Sequence, residues 1–409
     1  KTTVSLDGSW KISLNELSAG GPYDMVIKGK NIRTIKSILI GDVWFCGGQS
    51  NMEYTINKFP YASEEIKIAN YPNIRLFTAA PQISLTNKDI KGIWQAAQGE
   101  NIKNFSATAY FFGRYVHNQL NIPIGLISSS YSGSSIEAWI DKDSLIKDQD
   151  FSENINKLYN SLAPEGMQNL TKLTPTGLYN GMVASIIPFS IKGIIWYQGE
   201  ANVERAEQYK RLFPLLINNW RKKWALGDFP FLFVQLANYL KEKPEPGQSK
   251  WAELREAQTK ALSLPNTALV TAIDIGDANN IHPQNKQEVG RRLGISAMKT
   301  AYGQNINSSG PIYKSISYAD NKIIISFDNT GKGLMAIDNS PMLKGFAISD
   351  SHKKFYWANA YIEGNSVIVS ANNIINPVAV RYAWADNPGF LNLYNKDGFP
   401  AIPFRTDNW

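Results

Sequence analysis

Cysteine occurs once in the 409 residues, at Cys46. A single thiol excludes an intrachain disulfide and a cysteine-built zinc cluster, and its place in the apolar run 43–46 marks it as a small buried hydrophobe. Long hydrophobic runs are missing as well. No eighteen consecutive apolar residues occur, so no membrane-spanning helix is expected. Three familiar motifs are also absent: the Gly-x-Ser-x-Gly elbow, the His-Glu-x-x-His metal pair and the Gly-x-Gly-x-x-Gly nucleotide fingerprint. Neither a metal nor a cofactor is therefore expected. Histidine is scarce too, with only His117, His282 and His352, so general-base chemistry has few places to live.

What is present describes a folded chain: 43% hydrophobic and 19% charged residues suit one large core and a second, smaller one. The net charge of +7 permits an anionic partner. Yet the basic residues are scattered, and the short clusters Arg221-Lys222-Lys223 and Lys353-Lys354 lack the interleaved aromatics of a nucleic-acid module. No nucleic-acid partner is expected. The first residues, Lys1-Thr2-Thr3-Val4, are already strand-like and carry no signal peptide, which suggests an upstream β segment of the same protein.

Three regions differ in pattern. Residues 1–40 read as β: Trp10, Ile12 and Leu14 alternate with polar residues, Tyr23, Met25 and Ile27 share a face, and Gly20-Gly21-Pro22 is expected to turn between them. From residue 41 to 308 strands alternate with helices. The runs 43–46, 74–79, 122–128, 191–197, 231–236 and 268–273 are mostly apolar without alternation, as parallel strands covered on both faces are. Helices are expected over 107–120, 203–224, 253–262 and 286–302. In the second, Leu212, Leu216, Trp220 and Trp224 form a stripe, and Pro214 is expected to kink it. Residues 309–409 return to short strands separated by Asn, Asp, Gly and Pro, the grammar of a sandwich or jelly roll. With β material at both ends, residues 1–40 are expected to pair with 309–409.

Chemistry gathers just past the strands. Gly47 and Gly48 turn the chain sharply into Gln49-Ser50-Asn51, and a serine beyond the carboxyl end of a core strand sits where open α/β sheets bind ligands. Ser50 is the candidate nucleophile; the structural alternative is a helix cap. Gly133, in the Ser/Gly-rich stretch after the 122–128 run, is a candidate oxyanion donor through its backbone N–H. Gln198 is a second donor candidate, and Glu200 can hydrogen-bond the active-site residues or orient a loop. His282 is the one histidine in a polar loop after a core strand, which makes it the candidate base. Asp277 and Asp274 are available to orient its ring.

Four blocks occur in this order: GDVWFCGGQSNME (41–53), SYSGSSIEAW (130–139), GIIWYQGEAN (193–202) and DIGDANNIHPQNKQEVGRRLG (274–294). With VRYAWADNP (380–388) and LYNKDGFPAIPFRTD (393–407), they resemble the sialate O-acetylesterase family within the SGNH or GDSL-type hydrolases. The resemblance implies a three-layer α/β/α hydrolase domain with a mostly parallel sheet, joined to β-rich parts, and a cofactor-free carbohydrate esterase removing O-acetyl groups. It implies Ser50 as nucleophile and oxyanion donor, Gly133 beside it, Gln198 where simpler relatives place an asparagine, and His282 as base. The usual aspartate three residues before the histidine is Asn279 here, and Asn280 follows. Asp277 is then the first choice for the acid, Asp274 the reserve, and a Ser-His dyad the third option. Expected partners are O-acetylated glycans, sialic acid first and neutral sugars such as acetylated xylan second, and the expected location is periplasmic or secreted. A protein of another class, binding glycan without turnover, fits the eleven tryptophans.

Overall fold

The computed structural model describes residues 1–12, 14, 17–160 and 169–409. The first two strands in chain order, β1 (Gly20–Lys28) and β2 (Ile32–Ile40), pair antiparallel with each other. Next comes the central sheet: β3 (Asp42–Gly48), β4 (Asn70–Thr78), β5 (Trp94–Gln98), β6 (Ile124–Ser130), β7 (Gly193–Tyr197), β8 (Phe231–Gln235) and β9 (Thr267–Thr271), in the spatial order β5-β4-β6-β3-β7-β8-β9. All neighbours are parallel except the edge pair β4/β5. Every residue of β7 and β8 is buried, which is why these segments are apolar without alternation.

The Ala107–Leu120 and Lys286–Thr300 helices pack together, as do Ala206–Trp224 and Lys250–Lys260. These helices flank the sheet in a three-layer α/β/α arrangement. Local signals set their ends. Ser106 accepts from Ala109 N–H at 3.1 Å and Ser249 from Ala252 N–H at 3.0 Å. Asn285 accepts from Glu288 N–H at 3.0 Å, which makes Lys286 the first residue of its helix. Pro214 lies inside the continuous Ala206–Trp224 helix, where the buried Leu212, Leu216, Trp220 and Trp224 stripe carries the helix past it.

Beyond residue 309 two four-stranded antiparallel sheets share a core of Ile323, Ile325, Ile348, Val367, Val380 and Tyr382. Fully buried Arg255 joins the units by donating to the carbonyls of Leu236 and Ala237 on one side and of Ala385 and Asp386 on the other. No helix among the described residues is long and apolar enough to cross a membrane.

The amino-terminal region departs from expectation. Residues 10, 11, 12 and 14 belong to no strand and are exposed, and Ser13 lies outside the described residues. Gly20-Gly21-Pro22 opens β1 instead of forming a turn. Among the described residues the strand pairs of β1 and β2 are with each other, and those within 312–405 are among themselves. Alternation makes a strand only where a partner edge is within reach, and the hairpin already satisfies its inner ladder.

Candidate active site

β3 is the fourth of the seven strands, and its carboxyl end delivers Ser50 through a turn that only glycine closes. Gly48 has φ +143°, and a Cβ there would stand 2.1 Å from the Tyr197 carbonyl oxygen. Gln49 N–H donates to that same oxygen at 3.0 Å, while Gln49 Oε1 accepts from Gly199 and Ala201 N–H, each at 3.3 Å. The chain then enters the short Ser50–Glu53 helix with Ser50 half-buried at its first position.

Gly133 lies in the turn after β6 at φ +67°. Tyr131 N–H donates to the Gly48 carbonyl at 3.0 Å and so docks that turn against the nucleophile turn. Among the described residues neither the Ser50 nor the Gly133 backbone N–H has a hydrogen-bond acceptor. Gln198 is fully buried between the two loops. Its Nε2 donates to the Ser134 carbonyl at 3.1 Å and to Asn202 Oδ1 at 2.8 Å. Both amide hydrogens are thereby engaged, and in this geometry Gln198 braces the Gly133 turn instead of facing an oxyanion.

His282 sits half-buried in the loop between β9 and the Lys286–Thr300 helix, with its N–H on Asn280 Oδ1 at 2.9 Å. Its ring centroid is 6.4 Å from that of Tyr54. Asn51 joins this loop to the nucleophile: its Nδ2 donates to the Ile281 carbonyl at 3.1 Å and to Glu200 Oε1 at 2.6 Å. Glu200 is thus bonded to the residue beside Ser50. Among the described residues no hydrogen bond joins Ser50 Oγ to the His282 ring, and catalytic bonds of this kind often tighten only when substrate arrives.

The carboxylates of the acid candidates are engaged with other partners. Asp274 holds Arg292 in a bidentate pair, both bonds 2.7 Å, and accepts from Tyr394 Oη at 3.0 Å. Asp277 is exposed, and its Oδ1 accepts from Asn279 N–H at 2.8 Å. Its carbonyl accepts from Asn280 N–H at 3.3 Å, so Asp277 shapes the turn that seats His282. Among the described residues the His282 ring has no carboxylate within ion-pair distance.

The electrostatics of the site favour a neutral histidine. Burial, then the charges of Lys286 and Lys58, hold the His282 pKa below its usual 6.5. Burial pushes Lys286 down to about 7 against the pull of Glu200, and burial raises Glu200 itself. Lys58 and Lys172 are exposed at the mouth, and the Lys172 ammonium would stand 2.5 Å from a Cβ on Gly133. Among the described residues neither lysine has an ion-pair partner.

Sequence pattern alone does not mark Asn51 or Lys286 as site residues. The position of Asn51 in the Gln49-Ser50-Asn51 triplet was a usable signal. Lys286 gave none, since a lysine at a helix start reads as surface.

A family model described as carbohydrate esterase, sialic acid-specific acetylesterase matches residues 40–299. Sialate O-acetylesterase of Mus musculus is 31% identical over 459 residues, covering 97% of this chain and 84% of its own. The Homo sapiens protein of the same name is 28% identical over 434 residues, with 97% and 82% covered. The crystal structure of a carbohydrate acetylesterase from Xanthomonas citri has a TM-score of 0.89 and 36% identity, covering 98% of this chain and 89% of that one. With the Ser50 turn, the Gly133 turn and the His282 loop all inside the matched region, the chain belongs to the sialic acid-specific acetylesterase family of carbohydrate esterases.

Proposed function

We propose that the chain is a serine esterase that removes O-acetyl groups from sialic acid, with Ser50 as nucleophile and His282 as base. The observation that carries this reading is the Asn51 carboxamide, which bonds the segment bearing Ser50 to the carbonyl preceding His282 at the carboxyl edge of a parallel sheet. Ser50 Oγ attacks the acetyl carbonyl while His282 takes its proton. The oxygen becomes an anion facing the unpaired N–H groups of Ser50 and Gly133, each worth about 3 kcal/mol to the transition state. The proton on His282 passes to the sugar oxygen as the C–O bond breaks. Water, deprotonated by the same imidazole, then releases acetate from the acyl-enzyme.

In this geometry His282 works in a dyad, its main chain seated by Asn280 and Asp277, and Gln198 supports the Gly133 turn. Family membership supports sialic acid as the sugar, and the exposed Lys58 and Lys172, whose charges both act on Glu53, put positive charge at the mouth to match its carboxylate. Turnover of an aryl acetate by purified wild type and by Ser50→Ala tests the assignment. Folded Ser50→Ala loses roughly ten-thousandfold or more in kcat; full activity in that variant contradicts the nucleophile assignment.

A further inference from the structure

Lys286 opens its helix yet has no exposed surface. Its ammonium donates to Asn51 Oδ1 and lies 5.0 Å from the ring centroids of both Tyr54 and Tyr197. The other end of the same carboxamide reaches Glu200 and the Ile281 carbonyl. A lysine on the helix after His282, a glutamate beyond β7 and the carbonyl before His282 therefore meet on the side chain of the residue beside the nucleophile. Burying a lysine is unfavourable unless it is paired, and a helix-opening lysine ordinarily reaches water. Packing alone does not call for a charge here.

We propose that Lys286 is a positioning residue for the Ser50–His282 pair, setting the nucleophile helix through Asn51 and placing a positive charge beside the loop that carries His282. The proposal rests on the esterase reading above. Lys286 meets Asn51 and Tyr54 from the Ser50 segment and Tyr197 from β7, and it is coupled by charge to Glu200 after β7 and to His282 in the loop before its own helix. Lys58 adds a second positive charge at His282. Burial holds Lys286 at about 7, so its charge is present over the acid range in which an ordinary imidazole would take a proton. Deleting that charge makes protonation of His282 easier.

The test is the pH dependence of kcat/KM on a neutral aryl acetate for wild type, Lys286→Gln and Lys286→Met, with circular dichroism to establish folding. Gln keeps a donor for Asn51 Oδ1 without the charge: the acid inflection moves to higher pH, and kcat at pH 8 stays within about tenfold of wild type. Met removes the donor as well, and kcat at pH 8 falls about a hundredfold as the two segments lose register, with KM less affected. A folded Lys286→Gln with the wild-type inflection and kcat overturns the proposal, and it decides alone should Lys286→Met not fold. Ser50→Ala and His282→Ala are run alongside. Retained turnover in these two overturns the esterase assignment itself, whereas their loss beside unchanged Lys286 variants overturns only the role of Lys286.

Discussion

Asn51 Nδ2 stands 3.1 Å from the Ile281 carbonyl oxygen, so the residue after the nucleophile is bonded to the residue before the base across 230 positions of chain. The same side chain holds half-buried Glu200 and buried Lys286. Asn51→Ala removes all three contacts. Expected are a loss of about a hundredfold in kcat from lost register and a stability loss of about 3 kcal/mol from buried charges left unpaired. Aryl acetate kinetics and thermal unfolding measure the two; a variant with wild-type kcat would show that this link does not align the catalytic segments.

The two aspartates separate structure from catalysis. Asp274→Asn breaks a largely buried bidentate pair with Arg292, and unfolding stability is expected to fall by about 3 kcal/mol. Asp277→Asn keeps an oxygen for the Asn279 N–H, so kcat is expected to drop by less than about tenfold, against roughly ten-thousandfold where a charged orienter is lost. A loss in the thousands would place the Asp277 carboxylate on the imidazole during turnover and end the dyad reading.

Substrate charge is read at Lys172. Lys172→Met is expected to raise KM for O-acetylated sialic acid by up to about fivefold more than KM for a neutral aryl acetate, and added salt is expected to shrink that difference. Equal changes in the two KM values would remove Lys172 from carboxylate recognition.

The His282 shift has a sign that can be checked. A base held below its usual 6.5 remains neutral at lower pH, so kcat/KM is expected to persist on the acid side of 6.5. In stability the same group acts the other way: the unfolded chain takes the proton first, so its contribution is present above 6.5 and is lost as pH falls through the lower folded value. An acid inflection at or above 6.5 contradicts the lowered pKa.

Much of this site is legible in the sequence because the fold brings like positions together. Ser50, Gly133, Gln198 and His282 each follow a strand of one mostly parallel sheet, and such loops converge at one edge. What local pattern cannot carry is pairing at long range. Lys286 is buried by Asn51, 235 residues away, and looks like any polar helix start. Gln198 reads as a free amide until Ser134 and Asn202 are seen to occupy it. The β5 edge strand, Trp94–Gln98, sits in a loop-like stretch and owes its conformation to β4. Trp10, Ile12 and Leu14 alternate with polar residues, yet among the described residues Trp10, Lys11, Ile12 and Leu14 belong to no strand.

The most direct measurement is acetate release from 9-O-acetylated sialic acid near neutral pH by purified wild type, with acetylated xylo-oligosaccharide as competitor and Ser50→Ala as blank. The account predicts release that depends on Ser50 and is faster from the sialic acid ester. Release that persists in Ser50→Ala, or a preference for the xylan ester, contradicts it.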